Sequence, residues 1–453
     1  MNLPNYFLAD LPPEATLSAG MIGEACQALR KNRESYLAGR STAHIVKVLG
    51  NLAEAWLDAE YPFRRLALER GPAATGFSKA TLARGLDAFF QSLSHDHLQA
   101  LLVQELGHAH RLDALTAGGA EQRVPHAAMA RGPELLAHIA AGNLPNPALA
   151  SIVLGLLVRS AQFVKCARGT SLLPRLFAHS LYEAEPKLAA CLEIAEWPGG
   201  DRALEEALFI EADCLTATGS DATLADIRQR LPAKTRFLGY GHRLSFGYVA
   251  HEVLSSFGAK KIAARAADDI VAWNQLGCLS PHAIYVEHGG AVPAEGFAEL
   301  LAAELARREE TEPRGELSVP EAAVIAGRRD FFSVRAAAAT ETRLWQSEGS
   351  TAWTVVFEAD ARLHLSCLNR FIHVKAVADL EAALQGADNY RGQISTVGLA
   401  ANEDTAQTLA AQLARWGVTR VCPLGRMQLP PLTWRHDGRP ALGDLITWTE
   451  WER

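Results

Sequence analysis

From Glu134 to Arg230 the chain alternates short apolar runs with helical stretches. That rhythm restricts the possible folds more than any other feature. The runs 135–139, 162–166, 192–195 and 214–217 have strand length, and turn residues bound several of them. Between and after them, 148–157, 174–184, 203–212 and 222–230 have the length and apolar spacing of helices. Repeated strand–helix alternation predicts an α/β fold with a doubly wound, mostly parallel sheet. Such sheets bind ligands beyond the carboxyl ends of their strands. Gly142-Asn143 and Thr218-Gly219-Ser220 fall there.

The flanking regions differ. Residues 1–130 read as mostly helical, with apolar stripes following Ser41-Thr42 and Ser78 and along 98–106. After residue 280 a second α/β unit is expected, with strands at 283–286, 353–357, 371–374, 394–399 and 418–422. Its helices are expected at 297–310, 320–339 and 404–416. The last stretch, 429–453, is rich in proline and tryptophan and reads as a docking tail.

Composition narrows the function classes. A length of 453 residues suggests two or three domains. A net charge of -7 gives no basic field for nucleic acid. The longest apolar run, 148–158, is broken by Ser151 and is too short to span a bilayer, and the first residues do not form a signal peptide. Seven scattered cysteines without a C-x-x-C pair argue against a disulfide framework and a structural zinc site. A cytoplasmic enzyme is expected.

Several constellations carry possible chemistry. Cys278 lies in the loop-like stretch 274–282, after Gly277 and before a strand, where a thiolate can meet a substrate; a free cysteine is also a common small core residue. Thr218-Gly219-Ser220 stands at a strand-to-helix turn that suits a phosphate, although Ser220 or Asp221 can equally serve as a helix cap. Lys165, Arg168, Thr170 and Ser171 follow another strand. They suit the ribose and 2′-phosphate of NADP, or form a solvated turn. Gly239-Tyr240-Gly241-His242-Arg243-Leu244 lacks the third glycine of a dinucleotide fingerprint. No H-E-x-x-H and no G-x-S-x-G occurs, so neither a metalloprotease-type metal site nor a serine-hydrolase elbow is expected. His282, four residues after Cys278, is a candidate partner for it or a packing residue.

Taken together these pieces resemble the aldehyde dehydrogenase superfamily, and within it the acyl-CoA reductases typified by the fatty-acid reductase subunit of bacterial luminescence. The resemblance runs along nearly the whole chain. It includes Tyr61-Pro62-Phe63-Arg64-Arg65, Thr75-Gly76-Phe77-Ser78, Gly142-Asn143-Leu144-Pro145 and Thr218-Gly219-Ser220-Asp221. It continues through Gly239 to Gly247, the Cys278 loop, Leu368-Asn369-Arg370 and His436-Asp437-Gly438. It implies that Cys278 is the nucleophile and that the Asn143 amide helps form the oxyanion hole. It also implies that Lys165 holds the adenosine ribose and that Gly219-Ser220 turn over the cofactor phosphates.

Two departures matter. Oxidising relatives carry a Glu-Leu-Gly-Gly motif whose glutamate activates water; the matching stretch here, 237–241, has no carboxylate. The Glu-x-Phe-Gly-Pro motif that holds the nicotinamide ribose is not recognisable. The resemblance therefore implies an NADPH-dependent reductase that takes an acyl-CoA or an acyl-carrier-protein thioester to an aldehyde, working as a homo-oligomer. The expected division is a helical region 1–130, a Rossmann-like NADPH domain 131–252, a catalytic domain 253–424 and a tail 425–453. The alternatives are an acyl-phosphate reductase, a nucleotide-independent cysteine hydrolase or acyltransferase using Cys278 and His282, and a non-catalytic acyl-holding subunit.

Overall fold

The computed structural model describes residues 3–12, 14–119, 121–123 and 126–452. The chain divides into two compact units, one of Met1–Thr75, Leu86–Gly241 and Pro431–Arg453, the other of Gly76–Gly85 and His242–Pro430.

In the first unit β1 (His126–Arg131) precedes a five-stranded sheet. Its strands are β2 (Leu135–Ile139), β3 (Ala161–Cys166), β4 (Leu192–Glu196), β5 (Cys214–Thr218) and β6 (Arg236–Tyr240). The order is β4-β3-β2-β5-β6 and every neighbouring pair is parallel. The chain winds outward from β2 through β3 to β4, then continues on the other side through β5 and β6. The loops after β2 and β5 therefore flank the point where the winding reverses. Helices Ala19–Asn32 and Arg202–Glu211 cover one face, burying Ile22, Leu29, Leu208 and Phe209 with Leu135, Ala137, Phe163 and Leu215. Each such side chain taken fully from water contributes about 1.5–3 kcal/mol. Helix Thr42–Leu57 starts on an N-cap, with Ser41 accepting from the His44 N–H, and buries Trp56. The Trp56 Nε1–H donates to Ser180 Oγ at 2.9 Å, and its ring stacks on Phe90.

The second unit is built on a seven-stranded sheet. Its strands are β7 (Leu244–Val249), β8 (Pro281–Glu287), β9 (Thr342–Gln346), β10 (Thr354–Glu358), β11 (Phe371–Val377), β12 (Ile394–Ala400) and β13 (Arg420–Pro423). The order is β13-β12-β7-β8-β11-β10-β9, parallel throughout except for β9 against β10. β7, β11 and β12 are buried along their whole length, as strands covered on both faces must be. Helices Ser256–Val271 and Ala294–Thr311 pack on one face, and Leu380–Gly386 and Glu403–Trp416 on the other.

The final strand, β14 (Thr447–Glu452), runs antiparallel to β1, with His126 opposite Glu452 and Arg131 opposite Thr447. The proline- and tryptophan-rich tail thus docks on its own chain within the first unit. β1 also departs from the helical expectation for residues 1–130. β7 escaped the sequence reading because Gly247 interrupts its pattern. A Cβ at Gly247 would stand 2.5 Å from Ile284 Cδ1, so the residue is kept bare by the strand beside it. Among the described residues no helix is long and apolar enough to cross a membrane.

Candidate active site

The residues singled out in the first unit gather at the carboxyl edge of its sheet. Asn143 lies exposed in the loop between β2 and helix Asn146–Leu157. Lys165 is the penultimate residue of β3 and is buried. Burial pushes its ammonium below its ordinary value, while Glu205, Cys166 and Glu196 pull it back up. Its Nζ stands 5.8 Å from the centre of the Trp197 ring, a cation–π contact that no sequence motif announced. Arg168 is exposed in the following turn, where the Thr170 hydroxyl donates to Ala167 O at 2.8 Å.

This turn holds something that reading 165–171 alone missed. Glu196, the last residue of β4, accepts from the Gly169 N–H at 2.7 Å and from the Ser171 N–H at 3.2 Å. The parallel pairing of β3 with β4 brings that carboxylate there. Two amides that would otherwise attract a phosphate are already satisfied, which leaves the cationic side chains Lys165 and Arg168.

At the end of β5, Ser220 caps helix Asp221–Arg230 by accepting from the Thr223 N–H at 3.2 Å, and the Gly219 N–H donates to Tyr240 O at 3.2 Å. The capping role weighed for Ser220 is thus present, and it places a helix N-terminus beside the β2–β5 switch point. The stretch 237–241 forms β6 and its exit, with no carboxylate of its own. Asp221 nevertheless packs on that exit, its Oδ1 lying 2.4 Å from where a Cβ on Gly241 would be.

Cys278 belongs to the second unit and sits at the opposite kind of edge, just ahead of β8 and so at the amino end of a parallel sheet. The backbone leading to it is strained. Trp273, Asn274 and Gln275 have φ of 51°, 51° and 64°, and a second non-glycine run, Leu368, Asn369 and Arg370, has φ of 63°, 55° and 65°. Left-handed non-glycine residues cost of order 1–3 kcal/mol each and persist only where the surroundings hold them.

Here the two runs hold each other. Asn369 N–H donates to Asn274 O at 2.9 Å, and Arg370 Nε donates to Asn274 Oδ1 at 3.1 Å. Asn274 Nδ2 donates to Arg314 O at 2.8 Å, and Gln275 Nε2 donates to Pro281 O and Phe371 O. Arg370 is fully buried and reaches Glu309 Oε2 at 2.8 Å and Glu312 O at 2.9 Å. Asn tolerates left-handed backbone, so Asn274 and Asn369 were the available sequence signal. Their pairing across nearly a hundred residues left no trace in it.

The loop is fastened further on. Ser245 Oγ donates to Cys278 O at 2.7 Å, and Gln428 Nε2 donates to Ser280 Oγ at 2.5 Å. Cys278 itself is half-buried. Burial pushes the thiols of Cys26, Cys166, Cys191 and Cys214 up to about 12 and those of Cys367 and Cys422 to about 11, which makes all six poor nucleophiles.

His282, weighed as a partner for Cys278, lies buried on β8 and accepts the Ser366 N–H on Nδ1 at 3.2 Å. Burial, with His242 and His373 adding to it, lowers its pKa to about 4, so it is neutral at pH 7. Elsewhere in the unit Glu358, His364 and His373 converge as a metal-like set. Lys375 Nζ already stands 2.7 Å from Glu358 Oε2 and 3.2 Å from His364 Nδ1, so an ammonium takes the cation's place.

The sheets and loops described above make an aldehyde dehydrogenase-like fold. An NAD-dependent benzaldehyde dehydrogenase from Corynebacterium glutamicum superposes with a TM-score of 0.70 at 13% identity, covering 97% of this chain and 91% of that one. A proline utilization A mutant from Bradyrhizobium japonicum superposes with a TM-score of 0.73 at 16% identity over 96% of this chain, which spans 45% of that longer protein. The acyl-CoA reductase (LuxC) family model matches residues 37–448, and the chain belongs to that family. It is an oxidoreductase that reduces an acyl thioester to the aldehyde. Among curated proteins it is similar to the long-chain acyl-protein thioester reductases of Vibrio harveyi and Aliivibrio fischeri. The first is 22% identical over 426 residues, 92% of this chain and 84% of that protein; the second is 24% identical over 421 residues, 90% and 82%.

Proposed function

We propose that the chain reduces a long-chain acyl thioester with NADPH, through an acyl group carried on Cys278. The observation that carries this is the contrast among the cysteines. Four are buried thiols, the half-buried Cys367 and Cys422 also have raised pKa, and Cys278 is the half-buried cysteine that follows a run of strained backbone and stands on the loop before β8. The Cys278 thiolate attacks the thioester carbonyl, the donor thiolate leaves, and an acyl-Cys278 results. The Cys278 backbone N–H stabilises the oxyanion.

The donor set at the carboxyl edge of β2, β3 and β5 fits an anionic dinucleotide. Lys165 would hold the adenosine ribose and Arg168 the 2′-phosphate, with Thr170 and Ser171 beside them, and the turn Thr218-Gly219-Ser220 would hold the diphosphate. A reduced nicotinamide cofactor held by these residues would supply the hydride that the acyl carbon takes up. Cys278 then leaves as thiolate and the aldehyde is released. The names of the relatives favour a protein-bound long-chain acyl group as donor, with acyl-CoA as the second source. The same reading makes the enzyme a cytoplasmic homo-oligomer. The test is NADPH consumption against acyl-CoA thioesters from C2 to C16 and the matching acyl-carrier-protein thioesters, with aldehyde identified by mass spectrometry. Consumption without aldehyde, or aldehyde only from acyl phosphate, would overturn it.

A further inference from the structure

We infer that Arg420 is the cation that draws Cys278 towards its thiolate form, and that the turn 424–428 holds it there. The inference rests on Cys278 being the nucleophile. Arg420 touches no substrate in this reading; it is a positioning residue that acts through Cys278.

The geometry begins in the sheet. Pro281 on β8, Ser245 on β7, Thr396 on β12 and Arg420 on β13 form one cross-strand row at the amino edge, the edge where the nucleophile loop enters β8. The Ser245 hydroxyl joins the row to the loop, donating to Cys278 O and accepting the Thr396 N–H at 3.2 Å. Arg420 is nine-tenths buried and donates through Nη1 to Met427 O at 2.7 Å and through Nη2 to Arg426 O at 3.0 Å. Those carbonyls immediately precede Gln428, whose amide holds Ser280 two residues after Cys278.

Asp269, on helix Ser256–Val271, fixes the same turn from behind by accepting the Gly425 and Met427 amides at 2.5 and 2.8 Å. One short turn thus grips both the guanidinium and the cysteine loop.

The charges agree with this reading. The charged and titratable groups whose fields act on Arg420 are, in falling order, Cys422 on its own strand, Asp269 on the helix, Arg426 on the turn and Cys278 on the loop. Burial pushes the guanidinium below its ordinary value and Cys422, Asp269 and Cys278 oppose that, but an arginine stays charged in any case. Burial raises Asp269 to about 7, so at neutral pH it only partly offsets Arg420. Cys422, the other thiol beside the guanidinium, is pushed up to about 11 and stays protonated. His282 is neutral and faces His242 and His373. A fixed cation near a thiol favours the thiolate and lowers the pH at which it reacts.

The test uses the full chain without acyl donor. The rate of iodoacetamide alkylation at Cys278, read by peptide mass spectrometry, is followed from pH 5.5 to 10. The wild-type midpoint is expected at least about one unit below the ordinary thiol value of ~8.5. Arg420→Gln should raise it by about one unit, slowing alkylation at pH 7 about tenfold, and Arg420→Lys should keep it low. A wild-type midpoint at or above the ordinary value, or a folded Arg420→Gln with an unchanged midpoint, overturns the inference. Should Arg420→Gln fail to fold, Arg420→Lys decides: a retained low midpoint supports the field of the cation, and a rise to the ordinary value refutes it. Acyl-adduct mass on wild-type Cys278, measured in parallel, separates this outcome from failure of the nucleophile assignment itself.

Discussion

The two parallel sheets use opposite edges. In the first unit the polar residues stand after β2, β3 and β5, on ordinary turns whose amides are satisfied by a cap or by Glu196. In the second unit Cys278, the proposed nucleophile, precedes β8 and follows backbone held in an unfavourable conformation by buried side chains. A turn that meets a flexible, charged cofactor can be relaxed and wet. A loop that must hold one sulfur against one carbonyl needs a rigid frame, and that frame stores strain.

The largest test of this contrast removes the sulfur. Cys278→Ser should abolish reduction while cofactor binding, followed by fluorescence titration, is retained. Intact-mass spectrometry of the wild type given acyl donor alone should place one acyl group on Cys278. An adduct on Cys166 or Cys214 instead would break the assignment.

Next in size is the fate of the acyl-enzyme in water. A positioned base is worth ~10²–10⁴-fold, and 237–241 supplies none. Acyl-Cys278 should therefore outlast many turnovers in buffer and discharge on adding CoA or NADPH. Single-turnover release of labelled acid measures this. Fast release that Asp221→Asn suppresses would identify the carboxylate beside Gly241 as the base and turn the reading towards hydrolysis.

The frame can be broken separately from the chemistry. Arg370→Met leaves Glu309 without its buried partner and unlocks Asn274, so a stability loss of about 3–5 kcal/mol by urea unfolding is expected. Arg168→Ala, on the exposed turn of the other sheet, should change stability by only about 0.5 kcal/mol or less. Equal losses would mean the two edges are not built differently.

Cofactor choice is a smaller effect. NADPH should be preferred over NADH by roughly tenfold, about 1.4 kcal/mol. Arg168→Ala should narrow that preference and Glu196→Gln should widen it, because it removes a negative charge from the same turn while keeping an amide acceptor. Measured kcat/KM ratios decide this, and an unmoved ratio in both variants would remove the turn from the cofactor site.

A last comparison of the two units is their acid stability. His138 in the first unit and His282 in the second both have pKa lowered to about 4 from 6.5, burial being the first cause in each. Such groups bind more protons unfolded than folded. Their contribution is whole above pH 6.5 and is lost as the pH falls from 6.5 towards 4. His282→Asn should flatten the decline of Tm over that window and leave the pH–rate profile from 6.5 to 8 unchanged. A shifted profile would return His282 to the list of groups that tune Cys278.

Much of the fold was legible because both units are periodic. Strands β2 to β5 and their helices follow from apolar runs of strand length bounded by turns, and the N-caps Ser41 and Ser220 are visible as residue types. β7 and β1 were not legible. Gly247 interrupts the first, and the second finds its partner only in the last strand.

By itself the sequence determined the α/β class, the family resemblance, the missing glutamate in 237–241 and Cys278 as the candidate thiol. All of these are properties of residue type and local order. Only the tertiary structure decided which carboxylate faces the Arg168 turn, which arginine shares the cross-strand row at the edge where the Cys278 loop enters β8, and what holds the loop before it. Glu196 reaches that turn through the pairing of β4 with β3, Arg420 shares a row with Ser245 through β12, and Arg370 meets Asn274 across nearly a hundred residues. The reason is physical. Electrostatic and hydrogen-bonding partners are chosen by distance in space, and strand order, which sets that distance, is fixed by the packing of whole sheets rather than by any stretch of chain.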